Sequence, residues 1–310
     1  MSMDQFCDLP NGFRLCYRTH GHPDGDPLLL IAGLGLQLTY WSPLITEDLA
    51  RRGYRVITMD NRDVGRSSRA TGKPPGLLRS LSKRIEASAY DLDDMTRDTA
   101  GLLAHLHVDR VHVVGMSMGG MIAQNLAALY PDQVRSLTSI FSTTGAGRVG
   151  QPALSTLLRL AKAPPRSREE AVAGYLRMMR HIGSTGHFLD EQSLRSYAEQ
   201  AWDRGHGANA HEGMARQVGA IMKSGDRTAR LRGVRAPTLV IHGDQDRMVA
   251  PSGGQATADA IPGAVHLTVR GMGHDLPDDV IPYLVDLIDG HAERHSEALN
   301  PSSLTLARQA

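Results

Sequence analysis

The chain has 310 residues, a hydrophobic fraction of 41% and a formal net charge of +1. That length gives one large domain or one domain with an insertion, and the near-neutral charge offers no global attraction to nucleic acid or to an anionic membrane. Residues 1–11 carry Asp4 and Asp8 without an apolar core, and no long apolar run occurs, so neither a signal peptide nor a transmembrane helix is expected and the cytoplasm is the default location.

In chain order, residues 6–9 and 13–19 read as an antiparallel hairpin about the turn signal Asn11-Gly12. Symmetric pairing about that turn sets Cys7 opposite Cys16, which makes a cross-strand disulfide sterically conceivable. With two cysteines in the whole chain, reduced thiols are the plainer reading. Residues 28–32 are a continuous apolar run, a strand buried on both faces, and it stops at Gly33-Leu34-Gly35. A helix is expected over 43–52 with Leu44, Ile45 and Leu49 inward, then a strand over 55–59 that ends at Asp60-Asn61-Arg62-Asp63. Residues 69–89 have no clear period and read as an excursion over the top of the sheet. A helix over 90–107 follows, with acids in its first turn and Met95, Leu102, Leu103 and Leu106 inward.

Residues 111–120 organise the chain. A β-branched run passes through Gly115-Met116-Ser117-Met118-Gly119 straight into a helical pattern over 118–130. In that strand–turn–helix context, Gly-x-Ser-x-Gly is a nucleophile elbow, whose strained backbone lifts the serine clear of the carboxyl end of the sheet. A strand over 136–141 follows, and the alternation then breaks. Helical patterns run over 152–161, 167–181, 191–203 and 212–223. The second opens with the capping box Ser167-Arg168-Glu169-Glu170. The third puts Leu194, Tyr197, Ala201 and Trp202 on one face, and the fourth does so with Met214, Val218, Ile221 and Met222. This block is expected to be a helical cap over 143–234, inserted into a core formed by 1–142 and 235–290. The cap has 14 Lys/Arg against 8 Asp/Glu, a solvated face or a field that steers an anionic substrate. Strands over 238–241 and 265–269 resume the alternation, with helices over 254–260 and 280–288. Residues 291–310 read as a disordered tail.

A serine hydroxyl needs a base within hydrogen-bond reach, and the base needs an orienting acid. The loop after 238–241 offers Asp244 and Asp246; the loop after 265–269 offers His274, flanked by Gly271 and Gly273. The order Ser, Asp, His is the one an elbow on an α/β sheet requires. The oxyanion needs backbone donors, and the amides of Met118, at a helix start, and Leu34, in the glycine turn, are the candidates. His242 is positioned to support its loop rather than to move protons. No residues have metal-ligand spacing and no glycine-rich phosphate loop occurs, so neither metal nor cofactor is expected.

Ala32-Gly33-Leu34-Gly35, the stretch 60–67, the stretch 115–120, His242-Gly243-x-x-Asp246 and Gly273-His274 together make the sequence similar to the α/β-hydrolases over residues 5–290. Within them it resembles the esterases and methylesterases related to aclacinomycin methylesterase. The resemblance implies a mostly parallel eight-stranded sheet flanked by helices. It makes Ser117 the nucleophile, His274 the base and Asp246 the acid in preference to Asp244, and it puts Leu34 and Met118 on the oxyanion positions. It reads Asp60, Arg62 and Asp63 as a buried charge network bracing the sheet edge. Many relatives have His where this chain has Ala32, so the support of the oxyanion loop is in question. The expected activity is hydrolysis of a small or medium carboxylic ester through an acyl-enzyme. A lactonase, a carbon–carbon bond hydrolase and a cofactor-free perhydrolase share the triad, and a ligand receptor on the same fold is the non-enzymatic alternative. The expected partner is a small-molecule ester, with no nucleic acid and no membrane.

Overall fold

A computed structural model describes residues 3–72, 74, 86 and 89–296. The apolar runs become the strands β1 (Gln5–Asp8), β2 (Arg14–His20), β3 (Asp26–Ile31), β4 (Tyr54–Met59), β5 (Val111–Met116), β6 (Val134–Ile140), β7 (Thr238–Gly243) and β8 (Val265–Val269). They form one sheet in the order β1-β2-β4-β3-β5-β6-β7-β8. β2 runs antiparallel to both neighbours, and all other pairs are parallel. This is the mostly parallel eight-stranded sheet that the resemblance implies.

Ten helices accompany it among the described residues: α1 (Pro43–Arg51), α2 (Leu92–His105), α3 (Met118–Leu129), α4 (Leu154–Leu160), α5 (Arg168–Ile182), α6 (Glu191–Arg204), α7 (Ala210–Ser224), α8 (Thr228–Leu231), α9 (Ser252–Ala260) and α10 (Ile281–Glu293). The central strands are apolar on both faces because both are covered. Leu29 and Ile31 of β3 pack with Met95 and Leu102 of α2 and Ile122 and Leu126 of α3. Their neighbours Leu28 and Leu30 point the other way, to Ile45 and Leu49 of α1 and Leu284 and Ile288 of α10. The helical stretch 154–224 stands between β6 and β7, and Leu231 and Val234 already belong to the core.

Four expectations change. The hairpin register is shifted by one residue: Phe6 pairs with Cys16 and Cys7 with Leu15. Pro10 and Asn11 form the turn and Gly12 takes φ +83°, a three-residue loop closed by Leu9 and Phe13 in place of a two-residue turn. A one-residue slip puts the two cysteines on opposite faces, and both are buried free thiols. Leu44 is 53% exposed; Ile45, Thr46 and Leu49 form the inner face of α1. The inner face of α7 is Gly213, Arg216, Gln217 and Ala220, one step round the helix from the methionine stripe. The last helix continues to Glu293 with His291 and Ala292 buried, so the presumed tail begins inside an ordered helix. Residues 297–310 and most of the expected excursion over 69–89 lie outside the described residues.

Candidate active site

The strand order sets the site. β3 lies between β4 and β5, and a switch of direction in strand order leaves a crevice at the carboxyl ends. The turn after β3 and the turn after β5 therefore face each other. Gly119 lets them meet: a Cβ there would lie 2.1 Å from the Ile31 carbonyl oxygen. Between the two turns Ser117 adopts φ +54° and ψ −122°, a conformation that disfavours any residue with a Cβ. Its amide donates to the Ile140 carbonyl at 2.9 Å, and its carbonyl accepts from Ser142 Oγ at 2.8 Å. The strain is thus held by two bonds to the end of β6 and the loop that follows it.

The structure brings Ser117, His274 and Asp246 together. Ser117 Oγ lies 3.0 Å from His274 Nε2, and His274 Nδ1 lies 2.7 Å from Asp246 Oδ2. The other carboxylate oxygen of Asp246 accepts the amides of Met248 and Val249 at 2.8 and 2.9 Å. Burial by itself would raise the Asp246 carboxyl. The facing His274, the hydrogen bonds from His242 and His274, and the Val249 amide outweigh it and hold the group well below the ordinary carboxylate range. Asp244 does something else: its Oδ1 accepts the Gly271 amide at 2.7 Å and ties the two loops together. His242 supports its loop, as expected, through Nε2 and the Val249 carbonyl at 2.9 Å. The ring of Phe141 covers His274 with centroids 4.5 Å apart.

Gly33 to Leu36 form a turn closed by the Leu36 amide and the Gly33 carbonyl at 3.2 Å. Gly35 sits at φ +68°, where a side chain is strained. The amides of Leu34 and Met118 have no acceptor among the hydrogen bonds of the described residues, and a Cβ on Gly33 would touch Ser117 Cβ at 3.2 Å. The question raised by Ala32 has a structural answer. Asn61 Nδ2 donates to the Ala32 carbonyl at 3.1 Å. From α7, Gln217 Oε1 accepts the Gly35 amide at 2.9 Å, while Gln217 Nε2 donates to the Arg62 carbonyl at 2.9 Å. The loop is therefore braced from α7.

The same helices claim the charges after β4. Arg204 of α6 pairs with Asp60 at 2.7 Å, and Arg216 of α7 pairs with Asp63 at 2.7 Å. Arg62 turns back to the core, to Asp98 of α2 at 2.6 Å, and Asp63 also accepts from the Tyr90 hydroxyl at 2.8 Å. The network thus joins α6 and α7 to the end of β4, which lies inside the sheet between β2 and β3 rather than at its edge. His274 is gripped as well: its amide donates to the Ile182 carbonyl at 2.7 Å, and Asp275 accepts from the Ser184 amide and hydroxyl at 2.9 and 2.6 Å. Arg204, Arg216 and Gln217 escaped the sequence reading because buried polar side chains leave no hydrophobic period. The signal available was the small, polar stripe Gly213, Arg216, Gln217, Ala220 at helical spacing.

Residues 26–279 match the family described as alpha/beta hydrolase fold. The chain belongs to that family. A rhodomycin D methylesterase from a Streptomyces species is 29% identical over 290 residues, covering 87% of this chain and 92% of the relative. The meta-cleavage product hydrolase of Pseudomonas fluorescens superposes with a TM-score of 0.74 at 18% identity, covering 94% of this chain and 97% of that one. The enol-lactonase of Burkholderia xenovorans gives 0.72 at 23% identity, covering 93% and 100%. At these identities the two structures speak for the fold alone. Among the described residues, no cluster of three His, Cys, Asp or Glu side chains is arranged to hold a metal, and no helix is long and apolar enough to cross a membrane.

Proposed function

We propose that the chain is a serine carboxylic-ester hydrolase that turns over a small or medium ester through an acyl-enzyme. The observation that carries the reading is the continuous hydrogen-bonded path from Ser117 Oγ through His274 to Asp246, with separations of 3.0 and 2.7 Å. The similarity to a methylesterase supports the ester bond as the one cleaved.

In this reading Ser117 Oγ bonds to the acyl carbon while His274 Nε2 takes its proton, and the carbonyl electron pair moves onto oxygen. The amides of Leu34 and Met118 receive that charge. Collapse breaks the bond to the alkoxide, and His274 returns the proton to the leaving oxygen. Water then repeats the sequence on the acyl-enzyme, which releases the acid and restores Ser117. Asp246 stays ionised throughout, orients the ring and stabilises the imidazolium. The helices within 143–234 act as the cap that selects the substrate, with Met214 against Gly35 as part of the restriction.

The test is hydrolysis of p-nitrophenyl esters over a series of acyl lengths, with Ser117→Ala as control. Activity that peaks at short acyl chains and vanishes in the variant supports the proposal. A Ser117→Ala protein that still cleaves at near the parent rate sinks the nucleophile assignment. A serine labelled by a fluorophosphonate without turnover of any ester redirects the search to lactones and carbon–carbon substrates.

A further inference from the structure

The helix α4 is amphipathic in the wrong sense for a monomer in water. Leu154, Leu157, Leu158 and Ala161 recur at i, i+3, i+4 and i+7, the spacing of a buried face. They point to solvent: the three leucines are 43–73% exposed, and Leu160 beside them is 45% exposed. The opposite side of the helix holds it down. Thr156 is fully buried, donates to the Arg247 carbonyl at 3.0 Å and lies 2.9 Å from His181 Nε2. The Ala153 amide donates to the same carbonyl at 3.0 Å. The apolar face is therefore presented outward by specific bonds. Arg247 follows Asp246, so α4 is anchored to the loop that carries Asp246.

The surrounding charge is one-sided. From residue 143 to residue 168 the sequence has no Asp or Glu and has five cations, Arg148, Arg159, Lys162, Arg166 and Arg168. Arg168 pairs with Asp203 across the cap. The other four are exposed and have no carboxylate partner among the described residues. A short leucine face on a stretch that bears four cations without a carboxylate partner is complementary to an anionic lipid surface, where leucines enter the acyl boundary and cations meet the headgroups. A second copy of the same face brings its cations up against these and is opposed electrostatically. We propose that the α4 face docks this protein peripherally on an anionic lipid surface. The overall charge of +1 hides this, because the rest of the chain balances the local excess.

The test is co-sedimentation of the full chain with vesicles of phosphatidylcholine alone and of equal parts phosphatidylcholine and phosphatidylglycerol. Binding to the mixed vesicles is expected, weaker with phosphatidylcholine alone and weakened by salt. Arg159→Gln with Lys162→Gln is expected to weaken it about 30-fold, roughly fivefold for each cation. Leu154→Ser with Leu158→Ser is expected to abolish it. All four side chains are exposed, so the melting temperature should be unchanged and a lost signal reports the surface. No binding to the anionic vesicles overturns the proposal, as does binding that both variants leave intact. A dimer in light scattering that Leu154→Ser with Leu158→Ser dissociates, without vesicle binding, overturns it in favour of a second copy as the occupant. None of these outcomes depends on ester turnover, so the proposed activity stands or falls separately.

Discussion

Replacing Gln217 with leucine keeps the volume of a fully buried side chain and removes both of its hydrogen bonds. Two backbone groups lose their partner. The Arg62 carbonyl lies in the interior and takes the full penalty, about 1–3 kcal/mol, whereas the half-buried Gly35 amide is partly repaid by water. Together these give a loss of ~3 kcal/mol and a melting temperature lower by about 6 °C. The effect on rate comes through the neighbouring peptide: once the Gly35 amide is released the Leu34–Gly35 unit is held less firmly, and the adjoining Leu34 amide is aimed less well. Removing one oxyanion donor outright costs roughly 10²–10³ in kcat; a donor that is present but loosely aimed should cost about 10–100-fold. The ground-state ester makes little use of that donor, so KM should move by less than about threefold. The assay is steady-state hydrolysis of a p-nitrophenyl ester alongside thermal melting. A folded Gln217→Leu protein with kcat within about twofold of the parent would show that the loop holds itself and that the brace from α7 has no catalytic consequence.

Ser117→Gly should eliminate ester turnover and raise stability by about 1 kcal/mol, because glycine takes φ +54° without strain; a lower melting temperature would refute the strain. Asp246→Asn should lower kcat by about 10⁴-fold through the wrong histidine tautomer, while Asp244→Asn, which ties a loop to Gly271, should cost less than about tenfold; the reverse order in kinetics would mean that Asp244 is the acid. His291 is buried, donates to the Pro237 carbonyl and is pushed down to about 4 by burial, so the folded state holds it neutral while the unfolded chain protonates near 6.5. Its contribution is present above pH 6.5 and fades as pH falls towards 4, by about 3 kcal/mol at most. Denaturant melts of His291→Gln should lose that slope, and an unchanged slope between pH 6.5 and 4 would show that other groups set it.

The sequence by itself determined the fold class, the elbow and the order of the three candidate catalytic residues. These are local or periodic properties. A strand buried on both faces must be a continuous apolar run, a turn that folds back on itself must have glycine where backbones touch, and strand ends must fall where the apolar runs stop. That is why Ser117, Asp246 and His274 are legible in the sequence although the first and the last lie 157 positions apart. The tertiary structure decided what holds the site in shape. The hairpin register depended on whether two or three residues make the turn, a matter of one backbone conformation at Gly12. The docking face of α7 depended on Asp63 and Gly35 being nearby to satisfy Arg216 and Gln217; without those partners the same helix reads as a methionine stripe. Buried polar side chains pair with groups far away in the chain, so their burial has no signature in local periodicity. It appears only when the sheet and the inserted helices are assembled.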